Sequence, residues 1–298
     1  MAHDHHHHHH DKQENIKIAF LLNISFAILE IIGGLLTNSM AILSDALHDL
    51  GDSISLGGAW YLERYADKGP DSKFSFGYAR FSLLAALINS LILVTGSILI
   101  LIRAIPRLFN PEVIDPKGML VFAIIGIFIN GLAVLRLKGG SSFNEKIVSW
   151  HLLEDVLGWL VILIASVVLM FVDLWILDPI LSILLTIYVV INVMKNLREI
   201  VVILLQGVPS NIDINQIETM IKEKTDVECV YHTHVWSLEG EKILLSTHLV
   251  VNDNISRDQI IKIKNDVKEL MLKKGIEHVT VQIDFDKEDK ENFDCCNK

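Results

Sequence analysis

Six apolar stretches, each about 20 residues or longer, fill the first two-thirds of this chain and limit its fold more than any other feature. They run over Ile16–Leu36, Met40–Leu62, Phe81–Ile105, Met119–Leu137, Ile147–Val172 and Leu174–Leu205. Helices of that length cross a hydrocarbon core of roughly 30 Å, where a helix or a closed barrel alone satisfies its own backbone polar groups. A hydrophobic fraction of 51% and a mean hydropathy of +0.42 are too high for an ordinary soluble domain of 298 residues. The sequence therefore predicts an α-helical membrane protein with six spans, the last long enough to protrude into water. The first apolar run lacks the short core and cleavage site of a secretory signal.

The loop charges predict the orientation. With the N-terminus inside, Lys12, Lys17, Arg64, Lys68, Lys73, Arg80, Arg136, Lys138, Lys146, Lys195 and Arg198 all lie on the cytoplasmic side, against Arg103, Arg107 and Lys117 outside. Both termini are expected in the cytoplasm.

After Gly207-Val208-Pro209 the chain turns polar. A helix-period run Asp213–Lys224, strand-like runs Glu228–Ser237 and Lys242–Val251, an amphipathic helix Arg257–Lys274 and a strand Thr280–Phe285 give the order α-β-β-α-β. That order predicts a small α+β domain with its helices on one face of a sheet. The domain carries more carboxylates than cations, which argues against nucleic acid and is compatible with attracting cations. The expected divisions are a His-rich segment 1–15, a membrane domain 16–206, a cytosolic domain 207–288 and a tail 289–298 bearing a cysteine pair.

Within the apolar stretches stand two His-x-x-x-Asp pairs, His48/Asp52 and His151/Asp155. An ionisable group in hydrocarbon costs roughly 3 kcal/mol on the gentlest scale, so four together need a reason. The i, i+4 spacing puts each pair on one helix face. Imidazole plus carboxylate suits Zn²⁺, and the two pairs supply four ligands, the usual tetrahedral number. At 1.5 Å per residue the first pair lies about 14–20 Å below one boundary and the second about 10–17 Å above the other, so they can meet near the middle. Asp45 shares the face of His48 and can line the approach. Asp49 and Glu154 point about 100° away, towards helix contacts or hydration. Asn23 and Glu30, on one face of the first span, either face the site or pack within the bundle.

The chain resembles the cation diffusion facilitator family of divalent-metal transporters. The residues that carry the resemblance are Gly33-Gly34-Leu35-Leu36-Thr37-Asn38-Ser39, Leu43-Ser44-Asp45-Ala46-Leu47-His48-Asp49-Leu50-Gly51-Asp52, Phe76-Gly77-Tyr78-Ala79-Arg80, His151-Leu152-Leu153-Glu154-Asp155-Val156-Leu157-Gly158 and His234-Val235-Trp236-Ser237-Leu238. The resemblance covers nearly the whole chain. It implies six spans with a ferredoxin-like αββαβ cytosolic domain, a homodimer, and export of Zn²⁺ from the cytoplasm in exchange for H⁺ across a plasma (inner) membrane of bacterial type. It places the transport site on His48, Asp52, His151 and Asp155. Manganese-type members tend towards Asp-x-x-x-Asp, so the histidines favour zinc, with cadmium or cobalt tolerated.

For the cytosolic domain the resemblance implies a second, regulatory zinc site with candidate ligands His232, His234, His248, His278 and Asp284, with Gln282 beside them. Where the family often reads Val-His-x-x-His-Val-Trp, this chain has Tyr231 at the first histidine position and His232 next to it. Strand alternation predicts that His232 and His234 share a face from which Tyr231 is absent. The family also often pairs a basic residue near span three with a carboxylate after span six. Arg80 fits the first, but Gln206 stands where the second would be, which points to a hydrogen bond in place of an ion pair.

His3 and His5–His10 read either as a native metal-chelating segment or as an expression tag, and the flanking Asp4 and Asp11 favour the former. Cys229 is expected in the core, and Cys295 and Cys296 in a reduced tail. The leading expectation is thus a secondary-active Zn²⁺/H⁺ antiporter, with divalent ions, protons, the bilayer and a second copy as partners. A membrane metal sensor or buffer without net transport is the rival from another class. No enzyme constellation and no phosphate-cradling loop are evident.

Overall fold

A computed structural model describes residues 7–66, 68–137 and 143–285, with the side chains of residues 7–19, 56, 59–60, 62–66, 133, 136–137 and 143–152 outside that description. Six long helices come first: α1 (His7–Thr37), α2 (Met40–Ala66), α3 (Phe81–Phe109), α4 (Pro116–Leu137), α5 (Phe143–Phe171) and α6 (Leu177–Leu204). The C-terminal elements are α7 (Ile214–Lys224), β1 (Cys229–Ser237), β2 (Ile243–Val251), α8 (Arg257–Leu272) and β3 (Ile276–Phe285). Among the described residues, segments of α1 and α5 and the whole of α3 and α6 are long and apolar enough to cross a membrane, and α4 has a shorter apolar run over Pro116–Leu132. Six helices are therefore present where six spans were expected, but composition marks four of them. The middle of α2 carries Asp45, Asp49 and Asp52, which lowers its apolar character.

The chain forms two compact units divided at Arg64/Tyr65, Leu83/Leu84 and Leu197/Arg198. In the helical unit, Trp159 of α5 is 1% exposed and packs with Phe26, Ile42, Met119 and Ile162. Its ring lies 6.1 Å from that of Phe26. Gly126 permits this approach between α4 and α5, because a Cβ there would sit 2.3 Å from the Trp159 ring.

A buried polar seam joins α2 to α6. Asp178, in the first turn of α6, accepts from Ser39 Oγ at 2.5 Å and from the backbone N–H groups of Met40 at 2.7 Å and Ala41 at 3.1 Å. Ser39 Oγ also accepts from Ile42 N at 3.2 Å, so serine and carboxylate together cap the start of α2. Ser44 continues the seam towards Thr186 at 2.7 Å and the Ser182 carbonyl at 3.3 Å. On α6 the positions 178, 182 and 186 form an i, i+4, i+8 row, the spacing of one helix face. Small hydroxylated residues suit such a seam, since they allow close helix approach while pairing their own polar atoms.

In the C-terminal unit the sheet order is β1-β2-β3, with β1 and β2 antiparallel and β2 and β3 parallel. Ile217 and Ile221 of α7 and Ile263, Val267 and Met271 of α8 cover one face over Val235, Leu245, Leu249 and Val251. Asp213 caps α7, and a Ser256/Gln259 capping box starts α8. The α-β-β-α-β order agrees with the sequence pattern. β3 begins at Ile276 and not Thr280, directly after the Gly275 turn at φ +78°, which brings His278 into the strand. The segment before α3 belongs to this unit. Asp71 organises its turn by accepting from Lys73 N, Phe74 N and Tyr78 Oη, and these bonds hold its carboxyl below the ordinary value.

Candidate metal centres

On α2, His48 Nε2 stands 3.8 Å from Asp52 Oδ2, both side chains half-buried on one face as the i, i+4 spacing requires. His151 lies on the backbone of α5, four residues before Asp155, and its side chain is outside the described residues. Asp155 is half-buried and acts electrostatically on Asp45 of α2 and Glu30 of α1. Asp45 faces α5 directly: its Oδ1 lies 3.7 Å from where a Cβ on Gly158 would be, and Gly158 is less than one turn from Asp155. Asp45 of α2 thus lies against α5, within electrostatic range of Asp155.

Glu30 resolves the choice that spacing left open. It is fully buried, and Asp49, Asp45 and Asp155 all act on it electrostatically, so it faces the acidic interior. Asp49 is buried and its side chain meets that of Glu30 of α1, and Glu154 accepts from Tyr188 of α6, so both serve helix contacts. Among the described residues no three histidine, cysteine or acidic side chains converge closely enough to hold one ion.

In the C-terminal unit, the alternation expected for β1 fails at one place. Between Tyr231 and His234 the register with β2 slips, so that three steps on β1 face two on β2. His232 is the extra residue, at φ +48°, a conformation in which histidine is several-fold enriched among non-glycine residues. Val230 and Thr233 point into the core, whereas Tyr231 and His232 both lie on the opposite face, their rings 5.7 Å apart and stacked. The expectation that Tyr231 leaves the face of His232 and His234 is therefore corrected by the bulge.

Tyr231 in turn contacts the candidate ligands. Its hydroxyl donates to Asp284 Oδ2 at 2.7 Å, and the same oxygen is 2.8 Å from His248 Nδ1. Gln282 Nε2 donates to Asp284 Oδ1 at 3.0 Å. Burial opposes ionisation of Asp284, but the bonds from Tyr231, Gln282 and His248 outweigh it and hold the carboxyl below its ordinary value. The rings of His232 and His248 are 5.5 Å apart, edge to face. His232, His248 and Asp284 thus form a loose group with Tyr231 among them. His234 borders it, 5.8 Å from His232 between ring centres. His278 stands apart, six residues from Asp284 along β3, or about 20 Å at strand rise, with its ring edge-on to Phe76.

One further expectation changes. Cys229, expected in the core, is half-buried and disulfide-bonded. Arg80 donates through Nε to the Leu238 carbonyl at 3.1 Å, in the β1–β2 connection. The His-rich segment 1–6 and the cysteine pair Cys295/Cys296 fall outside the described residues. Sequence reasoning missed Asp178: an acid in the first turn of an apolar helix reads as a cap for that helix, whereas this one serves the start of α2.

Comparison with known proteins identifies both parts of the chain. Residues 16–205 match the family model for a cation efflux transmembrane domain, and residues 209–286 match that for the cytoplasmic domain of cation efflux proteins. The cadmium, cobalt and zinc/H⁺-K⁺ antiporter of Bacillus subtilis is 33% identical over 99% of this chain and 96% of its own. The metal cation efflux system protein CzcD of Cupriavidus metallidurans is 33% identical over 95% of this chain and 89% of its own. The zinc transporter ZitB of Escherichia coli is 32% identical over 96% of this chain and 93% of its own.

Proposed function

The chain belongs to the cation diffusion facilitator family of cation efflux proteins, and from that premise we propose that it carries Zn²⁺ out of the cytoplasm in exchange for H⁺. It is an integral membrane protein with a cytosolic C-terminal domain, and its relatives transport metal cations. In this reading α1 to α6 all span a plasma membrane with both termini cytoplasmic. The membrane domain covers residues 16–206 and the cytosolic domain 207–288. Two copies pair, with the cytosolic domain contributing to the contact.

The transport site is His48 and Asp52 of α2 with His151 and Asp155 of α5. The observation that carries this reading is the His48/Asp52 pair on one face of α2, with Asp45 of the same helix against α5 and within electrostatic range of Asp155. The mechanism follows from the ligand chemistry. Zinc takes neutral imidazole and ionised carboxylate, so protons reaching the site from outside compete with the metal and displace it. Relatives named for zinc, cadmium and cobalt support a soft-to-borderline divalent cargo, and two nitrogen donors favour zinc over manganese. His232, His248 and Asp284 form the core of a cytosolic site that senses the same ion, with His234 at its border and His278 as an outlying candidate. Residues 1–15 act as a chelating segment near the entrance.

The test is zinc flux into sealed proteoliposomes under an imposed pH gradient. Wild type should move zinc against protons, and His48→Ala or Asp155→Ala should reduce flux by about 100-fold or more while the protein stays folded. Zinc binding with no flux in the wild type would instead favour a sensor or buffer.

A further inference from the structure

We infer that the groove between α1, α2 and α3 is a binding site for one anionic phospholipid, with the phosphate on Arg103 and an acyl chain along the groove. The groove has a volume of about 370 Å³ and lies entirely within the helical unit. Its walls are three aligned helix faces. Ile31, Gly34 and Leu35 come from α1, Leu43, Leu47 and Leu50 from α2, and Gly96, Leu99 and Ile100 from α3. At 1.5 Å per residue, the run from Gly96 to Arg107 is about 16 Å, roughly half of a 30 Å hydrocarbon core. That is the depth of one leaflet. One end lies at the α1–α2 turn and the last turns of α3, where a headgroup would sit, and the lining ends near mid-helix at Leu50 and Gly96. A chain bound there enters from one leaflet and stops at the centre.

The polar end distinguishes a specific lipid from generic solvation. Arg107 is committed: it donates to the Asn38 carbonyl at 2.9 Å and to Asn38 Oδ1 at 2.7 Å, and pairs with Glu112 at 2.6 Å. Arg103, four residues earlier on the same face, is exposed and has no hydrogen bond or ion pair among the described residues. Glu112 is neutralised by Arg107, which leaves Arg103 as the uncompensated charge at the groove mouth. A guanidinium presents a planar fork of donors that matches a lipid phosphate. Arg103 and Arg107 are also two of the three cations that run against the positive-inside pattern, and a headgroup contact supplies a reason for a charge at that boundary.

The test uses the full-length protein, purified and exchanged into micelles containing equal amounts of phosphatidylglycerol and phosphatidylcholine with identical acyl chains, with retained lipid counted by native mass spectrometry. Wild type should retain phosphatidylglycerol about tenfold over phosphatidylcholine. Arg103→Ala should erase that preference and Arg103→Lys should keep most of it. Leu99→Trp, which fills the groove from an exposed position, should remove both lipids. Equal retention of the two lipids by the wild type overturns the inference, whatever the variants do. So does cross-linking from position 99 to a second copy of the chain, which would make the groove a protein interface. None of these readouts depends on zinc transport, so failure here is separate from failure of the proposed function.

Discussion

The Ser39 hydroxyl donates to Asp178 at 2.5 Å across the interior of the helical unit, and the same carboxylate takes the first free N–H groups of α2. Both side chains are fully buried. Replacing Asp178 by Ala leaves a hydroxyl and two N–H groups without their acceptor, each costing about 1–3 kcal/mol. Asp178→Ala should therefore lower the thermal midpoint of the detergent-solubilised protein sharply, and Asp178→Asn, which keeps one acceptor oxygen, should fall about halfway. Equal midpoints for all three proteins would show that the cap contributes nothing.

Gly126 gives a steric prediction. A methyl group there meets the Trp159 ring, which is buried and has no free side to turn into. Gly126→Ala should destabilise by about 1–3 kcal/mol, the usual cost of overpacking. Adding Trp159→Phe should recover part of the loss. Thermal unfolding of the double variant decides it: a purely additive loss would mean that the two residues do not collide.

Metal preference should follow the donor atoms of α2. His48→Asp exchanges a nitrogen ligand for oxygen and should move the zinc-to-manganese transport ratio towards manganese by about tenfold or more. Competitive uptake of the two ions in proteoliposomes reads that ratio directly. A variant that loses both ions equally would argue that position 48 does not ligate the cargo.

At the cytosolic group, Tyr231 occupies an oxygen of Asp284 that a metal would use. Tyr231→His should raise zinc affinity of the cytosolic domain, read by titration with a competing chelator, because it adds a nitrogen donor and frees that oxygen. An affinity no higher than wild type would mean that position 231 does not reach the ion.

Tyr231→Phe tests the carboxyl itself. Asp284 is held below its ordinary value, so its bonds stabilise the folded form above the normal carboxylate range near pH 4 and are lost as pH falls through the lowered value. Wild type should lose stability on acidification below about pH 4, and Tyr231→Phe should be weaker at neutral pH but lose less in acid. Parallel acid limbs for the two proteins, followed by circular dichroism, would contradict this.

Much of the fold can be read from the chain because its signals are local. Apolar runs end where Thr37-Asn38-Ser39 or Gly207-Val208-Pro209 interrupt them, and the helix boundaries fall within a few residues of those runs except at the N-terminus of α1. The His48/Asp52 spacing likewise fixes a shared face without tertiary information. The remainder depends on partners distant in sequence. Nothing within Tyr231–His234 announces that β2 offers one residue fewer, so period-two counting placed Tyr231 on the wrong face. Glu30 could be directed inward only by the carboxylates of α2 and α5. Asp178 acts across 139 residues, a separation that no helical period can reveal.

The seam from Ser39 to Thr186 has a mechanical consequence. Sliding α2 past α6 by one turn would strip the bonds at Asp178 and Ser44 together in a medium that offers no water to replace them. These two helices therefore travel as a single rod. Where α5 meets α4, at Trp159 and Gly126, the contact is instead one of close-fitting shape. A displacement of α5 relative to α2 would therefore have to be taken up by apolar side chains such as Ile42 and Trp159, and not by the seam.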